Sequence, residues 1–286
     1  MSDPLVTVYM PTYNRSKIIT KAIMSVLNQT YTELELIIVD DNSQDDTQDV
    51  IMDLKKRDNR ITYIRNTKNL GACQSRNKAI FQAKGEFITG LDDDDYYKEN
   101  RVESFLKHWE KKNTETQVLF SKYIFKKSND TYYYPKFLIK KKLKAVKNTD
   151  IFVNFYLGSQ VFTTTNNLRK IDGFDPLLSA WQDFECWYRL LALGKAEIVD
   201  EYTYIVDTSH DLQRISNANY EKLITTYNYF INKHNITSQK ELELIYSRLH
   251  NYDKSFIKFK PALRKFINSP SRTSLRHLMY VIRFSK

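Results

Sequence analysis

Leu5 to Met10 and Leu34 to Val39 are near-continuous apolar runs, and each is followed by apolar residues recurring at helical spacing. Runs of this kind mark strands covered on both faces of a parallel sheet. The first strand is expected to stop at Pro11, which cannot donate to a ladder. A helix is then predicted from about Arg15–Ser16 to Asn28–Gln29, carried by Ile18, Ile19, Ala22, Ile23, Val26 and Leu27. The second strand ends on Asp40 and Asp41. Asn42-Ser43 opens another helix there, with Ser43 suited to cap it ahead of Val50, Ile51 and Leu54. Ile61 to Ile64 reads as a third strand, about Cys73 to Ala83 as a helix after Gly71, and Phe87 to Leu91 as a fourth strand. That strand runs straight into four aspartates, Asp92, Asp93, Asp94 and Asp95. Strand–helix alternation with short connections predicts an α/β fold with a mostly parallel sheet and right-handed crossovers.

Further on, Arg101 to Lys112 is an amphipathic helix and Val118 to Phe125 a strand. Residues 126–150 are Lys-rich, interleaved with Tyr132, Tyr133, Tyr134 and Phe137, and read as a mobile loop or hairpin. Val161 to Thr165 resumes strand character, 171–176 is a turn, Phe184 to Leu193 a buried helix and Ile198 to Val206 a late strand. Beyond Asn217 the patterns are helical, with two packed helices expected over 217–250. The expected division is a domain over 1–212 and a helical region over 213–286. No internal repeat is present.

Charge changes this picture more than composition does. The net charge is +10, yet residues 254–286 carry nine Lys/Arg and no acid, and 122–147 carry nine Lys and one Asp, leaving −7 for the rest. An acidic body with two basic patches suits an anionic lipid or polyanion surface better than it suits a uniformly basic nucleic-acid binder. Cys73 and Cys186 have neither disulfide-framework nor zinc spacing, which fits free thiols in a reducing cytosol. No apolar run reaches the ~18–20 residues of a spanning helix. The first residues lack a basic stretch followed by an apolar one, so no secretory signal is expected.

Three strands end on polar chemistry: Pro11-Thr12-Tyr13-Asn14-Arg15, Asp40-Asp41-Asn42-Ser43 and Asp92–Asp95. In open α/β sheets ligands bind at the carboxyl ends of strands, where the strand order reverses. Four adjacent carboxylates repel one another and call for a cation; oxygen-only ligands suit Mg2+ or Mn2+. There is no GxGxxG and no Walker-A pattern, so neither a dinucleotide site nor a P-loop is supported.

VTVYMPTYNR, LELIIVDDNSQDDT, NLGACQSRNKA, GEFITGLDDDD and QDFECWYRL, in this order, resemble the family two glycosyltransferases of the GT-A fold over about residues 5–210. That resemblance implies a mostly parallel, Rossmann-like sheet flanked by helices. It implies an inverting transfer of sugar from a UDP-sugar donor to a hydroxyl of a glycan or lipid-linked glycan, in bacterial surface polysaccharide synthesis. Pro11, Tyr13 and Arg15 would border the nucleotide, with the Tyr13 ring able to stack on uracil. Asp41 would accept from the uracil N3–H, and Arg76 would line the nucleotide site beside the diphosphate. In the family's Asp-x-Asp pattern Asp92 would face the ribose or nucleotide and Asp94 would bind the metal. The four-residue run leaves the register open by one, so Asp93 and Asp95 stay in play. Asp183 would be the general base. The family's Glu-Asp pair reads Gln182-Asp183 here, and losing one neighbouring charge would lower the Asp183 pKa. Glu185 is the reserve base. His210 would join the metal. The Gln-x-x-Arg-Trp signature of processive synthases is absent, which favours a single addition.

The basic tail over 254–286 mixes apolar residues with its cations and fits in-plane association with an anionic leaflet. The expected location is therefore cytoplasmic, peripheral on the inner face of the plasma membrane. Two other classes are weighed against this. A nucleotidyltransferase of similar fold usually opens with a Gly-rich basic loop, and PTYNR is not one. A non-catalytic polyanion or nucleic-acid binder would not place carboxylates at three strand ends, where they repel phosphate.

Overall fold

The computed structural model describes residues 3–135, 145–153, 155, 157–210 and 220–249, and scattered positions between 262 and 282. The chain forms two compact units, one of residues 1–148, 156–176 and 182–211, the other of 149–155, 177–181 and 212–286. The boundary expected at 212/213 falls among residues outside the described ones.

The first unit is built on a nine-stranded sheet among the described residues: β1 (Val6–Thr12), β2 (Leu34–Asp40), β3 (Ile61–Arg65), β4 (Phe87–Gly90), β5 (Tyr96–Tyr97), β6 (Thr116–Lys126), β7 (Tyr132–Tyr133), β8 (Phe162–Thr164) and β9 (Lys195–Asp207). The order is β3-β2-β1-β4-β8-β6-β9-β5, with β7 hairpinned onto β6. The first four strands are all parallel, as their continuous apolar runs require, while β8 runs antiparallel to β4 and β6, and β9 parallel to β6. The order reverses at β1, whose neighbours are β2 on one side and β4 on the other. That switch is where the three polar strand ends meet.

Helices α1 (Ile19–Leu27), α2 (Thr47–Arg57), α3 (Ala72–Gln82), α4 (Arg101–Trp109), α6 (Thr165–Lys170) and α7 (Gln182–Leu190) belong to this unit; α5 (Asp150–Val153) belongs to the other. Beneath one face, Val8, Met10, Ile23, Val26, Leu36 and Ile38 pack together with α1 against β1 and β2. Further along the same face, Phe162 of β8 stacks between Phe87 and Phe105, with centroids 5.2 and 5.0 Å away. Large aromatic rings at such spacing add to the area they bury.

Three local expectations change. β1 continues through Pro11 to Thr12, with Pro11 in register with Val39. The Leu91 N–H donates to the Tyr9 carbonyl and the Asp41 N–H to that of Thr12, so residues 9 and 11 face the β4 side and residue 12 the β2 side. β4 pairs no further than Tyr9, so the missing Pro11 N–H deprives no ladder of a donor. Second, α1 starts at Ile19 rather than near Arg15–Ser16, because the Arg15 carbonyl first closes a tight turn onto Ile18 and Ile19. Third, Ser43 caps no helix: α2 begins at Thr47, and the Ser43 hydroxyl instead accepts from the Asn14 N–H at 2.9 Å.

In the second unit α8 (Tyr220–Lys233) and α9 (Gln239–Tyr246) are the two helices that the pattern over 217–250 predicts. Phe152 of α5 meets Phe230 edge-on at 6.2 Å, and Arg248 donates to the Ile151 carbonyl. The hairpin expected within 126–150 is present as β6–β7, while residues 136–144 lie outside the described ones.

Candidate functional site

β2 brings Asp40 and Asp41 to the switch point, and local donors engage both. Asp40 accepts from the Ser43 N–H and the Tyr63 hydroxyl, each at 2.8 Å. Asp41 is buried and accepts from Asn66 Nδ2 and the Leu70 N–H at 2.8 Å and from the Gly71 N–H at 2.7 Å. It therefore pins the loop that leads into α3, where Gly71 adopts φ +87°, a conformation side chains rarely accept. A carboxylate has about four acceptor directions, so Asp41 keeps one for a further donor.

At the end of β4 the four aspartates go to four addresses. Asp92 accepts from Arg76 Nη2 at 3.0 Å and from Gln160 Nε2 at 3.1 Å. Asp93 is buried against Arg15, whose Nε is 3.3 Å away; burial pushes its carboxyl up to about 7 despite that cation. Asp94 faces His210, with Oδ2 and Nε2 3.6 Å apart. Asp95 is buried and accepts from the Tyr204 hydroxyl at 2.9 Å and the Asp207 N–H at 3.0 Å. The expectation that the run needs one shared cation to relieve its repulsion is revised, because separate protein donors already divide Asp92, Asp93 and Asp95 among them.

Both ring nitrogens of His210 are shut off from solvent and have no hydrogen-bond partner among the described residues. At 3.6 Å the contact with Asp94 is too long to be one. An imidazole and a carboxylate at this separation fit two ligands of a divalent cation. No group of three or more His, Cys, Asp or Glu side chains that could hold a metal occurs among the described residues. A cation here would thus have two protein ligands and open positions for other oxygens.

α3 and α7 supply the remaining part. α3 turns Cys73, Ser75, Arg76, Ala79 and Ile80 inward, so Arg76 is the one buried charge in that stripe. Its Nη1 donates to Gln182 Oε1 at 2.9 Å, and its cation lies 5.1 Å from the Phe174 ring. Burial opposes the Arg76 charge, but Asp92 and Asp183 more than offset it and hold its pKa above the usual range. Beneath Asp92, the Tyr9 hydroxyl donates to Gln160 Oε1 at 2.9 Å. A Cβ on Gly90 would sit 2.0 Å from that Gln160 oxygen and 2.3 Å from the Tyr9 ring. These contacts form one chain, Tyr9–Gln160–Asp92–Arg76–Gln182.

Asp183 stands in the first turn of α7, next to Gln182. Its Oδ1 is sealed from solvent and has no hydrogen-bond partner among the described residues. The loss of charge at position 182 would by itself lower its pKa, but the net direction is the opposite. Burial pushes the carboxyl up to about 7, opposed by Arg76 and assisted by Asp92. Glu185 is fully buried and bound at both oxygens by Arg189, at 2.7 Å each. Tyr13 is 41% exposed and leaves its ring open to a stacking partner, while Pro11 is buried.

Pro11, Arg15, Asp41, Arg76, Asp92–Asp95, Asp183 and His210 all belong to the first unit, and hydrogen bonds join Arg76 to Asp92 and Arg15 to Asp93 among them. Gln160, Tyr9, Tyr204 and Asp207 take part without having been singled out in the sequence. Gly90 carried a signal for Tyr9 and Gln160, since a glycine inside a strand often marks a close approach.

The profile of Glycosyl transferase family 2 matches residues 7–175. The chain is 35% identical over 241 residues to WcaA of Escherichia coli (strain K12), a glycosyl transferase attributed to colanic acid biosynthesis; the match covers 82% of each chain. It is 41% identical over 103 residues, 36% of this chain and 40% of the other, to WfgD of Escherichia coli, a UDP-Glc:alpha-D-GlcNAc-diphosphoundecaprenol beta-1,3-glucosyltransferase. Among solved structures it resembles residues 1–349 of Staphylococcus aureus TarS in complex with UDP-GlcNAc, with a TM-score of 0.69 at 20% identity, covering 96% of this chain and 78% of that one.

Proposed function

This chain belongs to glycosyl transferase family 2 and is a glycosyltransferase; we propose that it moves a sugar from a UDP-sugar, with inversion, to a hydroxyl of a glycan or lipid-linked glycan in bacterial surface polysaccharide synthesis. Membership of the family sets aside the nucleotidyltransferase and polyanion-binder readings. The single observation that carries the mechanism is the sealed, unpartnered Oδ1 of Asp183, on a carboxyl electrostatically tied to Arg76 and Asp92. A base with a pKa near 7 is well matched to taking a hydroxyl proton at neutral pH. Asp183 accepts the acceptor proton as the hydroxyl oxygen forms its bond to the anomeric carbon and the bond to UDP breaks. One base and one departing diphosphate are enough for a single inverting displacement.

Tyr13 stacks on the uracil, a contact of about 1–3 kcal/mol. Asp41 uses its remaining acceptor direction for the base N3–H. Asp92, fixed by Arg76 and Gln160, faces the ribose. Arg76 lies under Asp92 and holds the base and donor aspartates in one network, so its action on the diphosphate is through that network. Asp94 and His210 would hold Mn2+ or Mg2+, which would supply charge neutralisation for the departing diphosphate. WfgD, by its name, takes UDP-Glc and a diphosphoundecaprenol-linked acceptor, and TarS binds UDP-GlcNAc; both support the donor class proposed here.

Attachment to the inner membrane surface through 254–286 is part of the proposal. Most of that segment lies outside the described residues, but Ile267, Met279 and Ile282 in it are exposed, beside nine Lys/Arg and no acid. Among the described residues no helix is long and apolar enough to cross a membrane.

A thermal-shift panel tests the donor site: UDP with Mn2+ should raise Tm, and CTP, UTP or DNA should not. Asp183→Asn should then lower kcat by about 10^2–10^4-fold while UDP binding persists. Full activity in that variant overturns the base assignment.

A further inference from the structure

Asp95 differs from the other members of its run in having both oxygens tied to one strand. Its Oδ2 accepts from the Tyr204 hydroxyl and its Oδ1 from the Asp207 N–H, both on β9. Asp207 is the last residue of that strand, and its own carboxylate turns the chain that follows. Its Oδ1 accepts from the Ser209 N–H at 3.0 Å and from the Ser209 hydroxyl, while its Oδ2 takes Lys21 Nζ at 2.8 Å. The next residue is His210, whose Nε2 stands 3.6 Å from Asp94.

The clamp is itself held from behind. The Tyr204 and Tyr97 rings meet edge-on at 5.8 Å, and the buried Arg101 cation lies 4.7 Å from one centroid and 5.1 Å from the other. Arg101 donates to Ser121 and Thr203 hydroxyls at 2.7 and 3.0 Å, and the Tyr97 hydroxyl donates to the Gly90 carbonyl at the end of β4. Asp95 is adjacent to Asp94 in the chain, and Asp207 is three residues before His210. Two hydrogen bonds therefore fix, relative to each other, the two backbones that carry the facing pair.

We infer that Asp95 is a positioning residue, clamping the end of β9 to the end of β4 so that His210 is presented to Asp94. The inference rests on the proposed reading of Asp94 and His210 as cation ligands. It parts from a reading of Asp95 as a ligand in its own right, because its oxygens already accept from strongly held donors. Outer partners of this kind typically cost about 10–100-fold in metal affinity when removed.

Mn2+ affinity, measured with UDP present by the loss of the free-ion EPR signal, tests this without turnover. Wild-type protein should bind; its failure to do so overturns the cation reading and this inference together. Tyr204→Phe decides between clamp and ligand. It keeps the ring and its packing, removes one donor from Asp95 and leaves the carboxylate. A clamp predicts Mn2+ binding weakened by about tenfold, with UDP affinity in the absence of metal unchanged. Unchanged or tighter Mn2+ binding, with wild-type binding intact, overturns the inference alone. Asp95→Asn should lose about 10–100-fold, and adding His210→Ala to it should cost little more, since the imidazole is already displaced. Fully additive losses would mean that the two residues act independently and would sink the idea. If Asp95→Asn fails to fold, Tyr204→Phe carries the decision.

Discussion

The ends of β2 and β4 flank β1 on the same edge of one sheet, both carry aspartates, and they use them differently. At β2 every hydrogen-bond donor to Asp40 and Asp41 comes from within 30 residues, and most are backbone N–H groups. At β4 the donors and facing groups are mostly side chains: Arg15, Arg76, Gln160, Tyr204 and His210, with the Asp207 N–H reaching Asp95 from 112 residues away. Local donors turn a pair of carboxylates into a loop anchor. Distant donors bring separate parts of the chain to one place, and a binding and catalytic site needs that convergence. Acidity alone does not separate the two.

The largest effect should fall at β4. Asp94→Ala is expected to cut kcat/KM by about 10^2–10^3-fold, the several kcal/mol of charge stabilisation that a metal supplies, with little change in urea-unfolding free energy. Asp41→Ala should weigh on stability first, with a smaller loss of UDP affinity from the missing uracil contact. Removing a buried acceptor of three hydrogen bonds should cost about 3 kcal/mol of stability, read from the same unfolding curves. An Asp41→Ala protein of full stability that no longer binds UDP would break the comparison. The smallest effect concerns pH. Burial holds the Asp183 carboxyl at about 7, so it is protonated, and unable to take a proton, below that value. The kcat/KM profile of the wild type should fall about tenfold per pH unit below about 7 and level off above it. Asp41→Ala should leave that limb in place, since neither strand end carries the base.

Much of the parallel half was legible because a strand covered on both faces writes itself as an apolar run. The polar ends of β1, β2 and β4 followed from that alone. The limits were set by information that lies in pairing. Whether Pro11 ends β1 depends on where β4 stops, which no residue near Pro11 encodes. Ser43 looked like a cap because a helix follows it, yet its hydroxyl serves the Asn14 N–H across the switch. Arg76 could have been read as buried, since it takes the third position after Cys73 in the inward stripe of α3. Glu185 and Arg189 at i, i+4 likewise announced their own pair. Gln160 carried no such sign; its importance comes from β8 running antiparallel beside β4. For Asp183 the local charge count pointed to a lower pKa, and burial, which only the assembled fold creates, reversed it.

The span of these bonds also sets an order of events during synthesis. Tyr9 waits 151 residues for Gln160, Asp95 waits 112 for the Asp207 N–H, and Lys21 waits 186 for the Asp207 carboxylate. Domains fold as the chain emerges, at about 5–20 residues per second, and contacts this distant in sequence close late. The parallel half can therefore take shape on the ribosome while its aspartate run is still without β9. A chain stalled before residue 207 would hold a nearly complete sheet without its Asp94–His210 contact, so the proposed site is completed only when the end of β9 arrives.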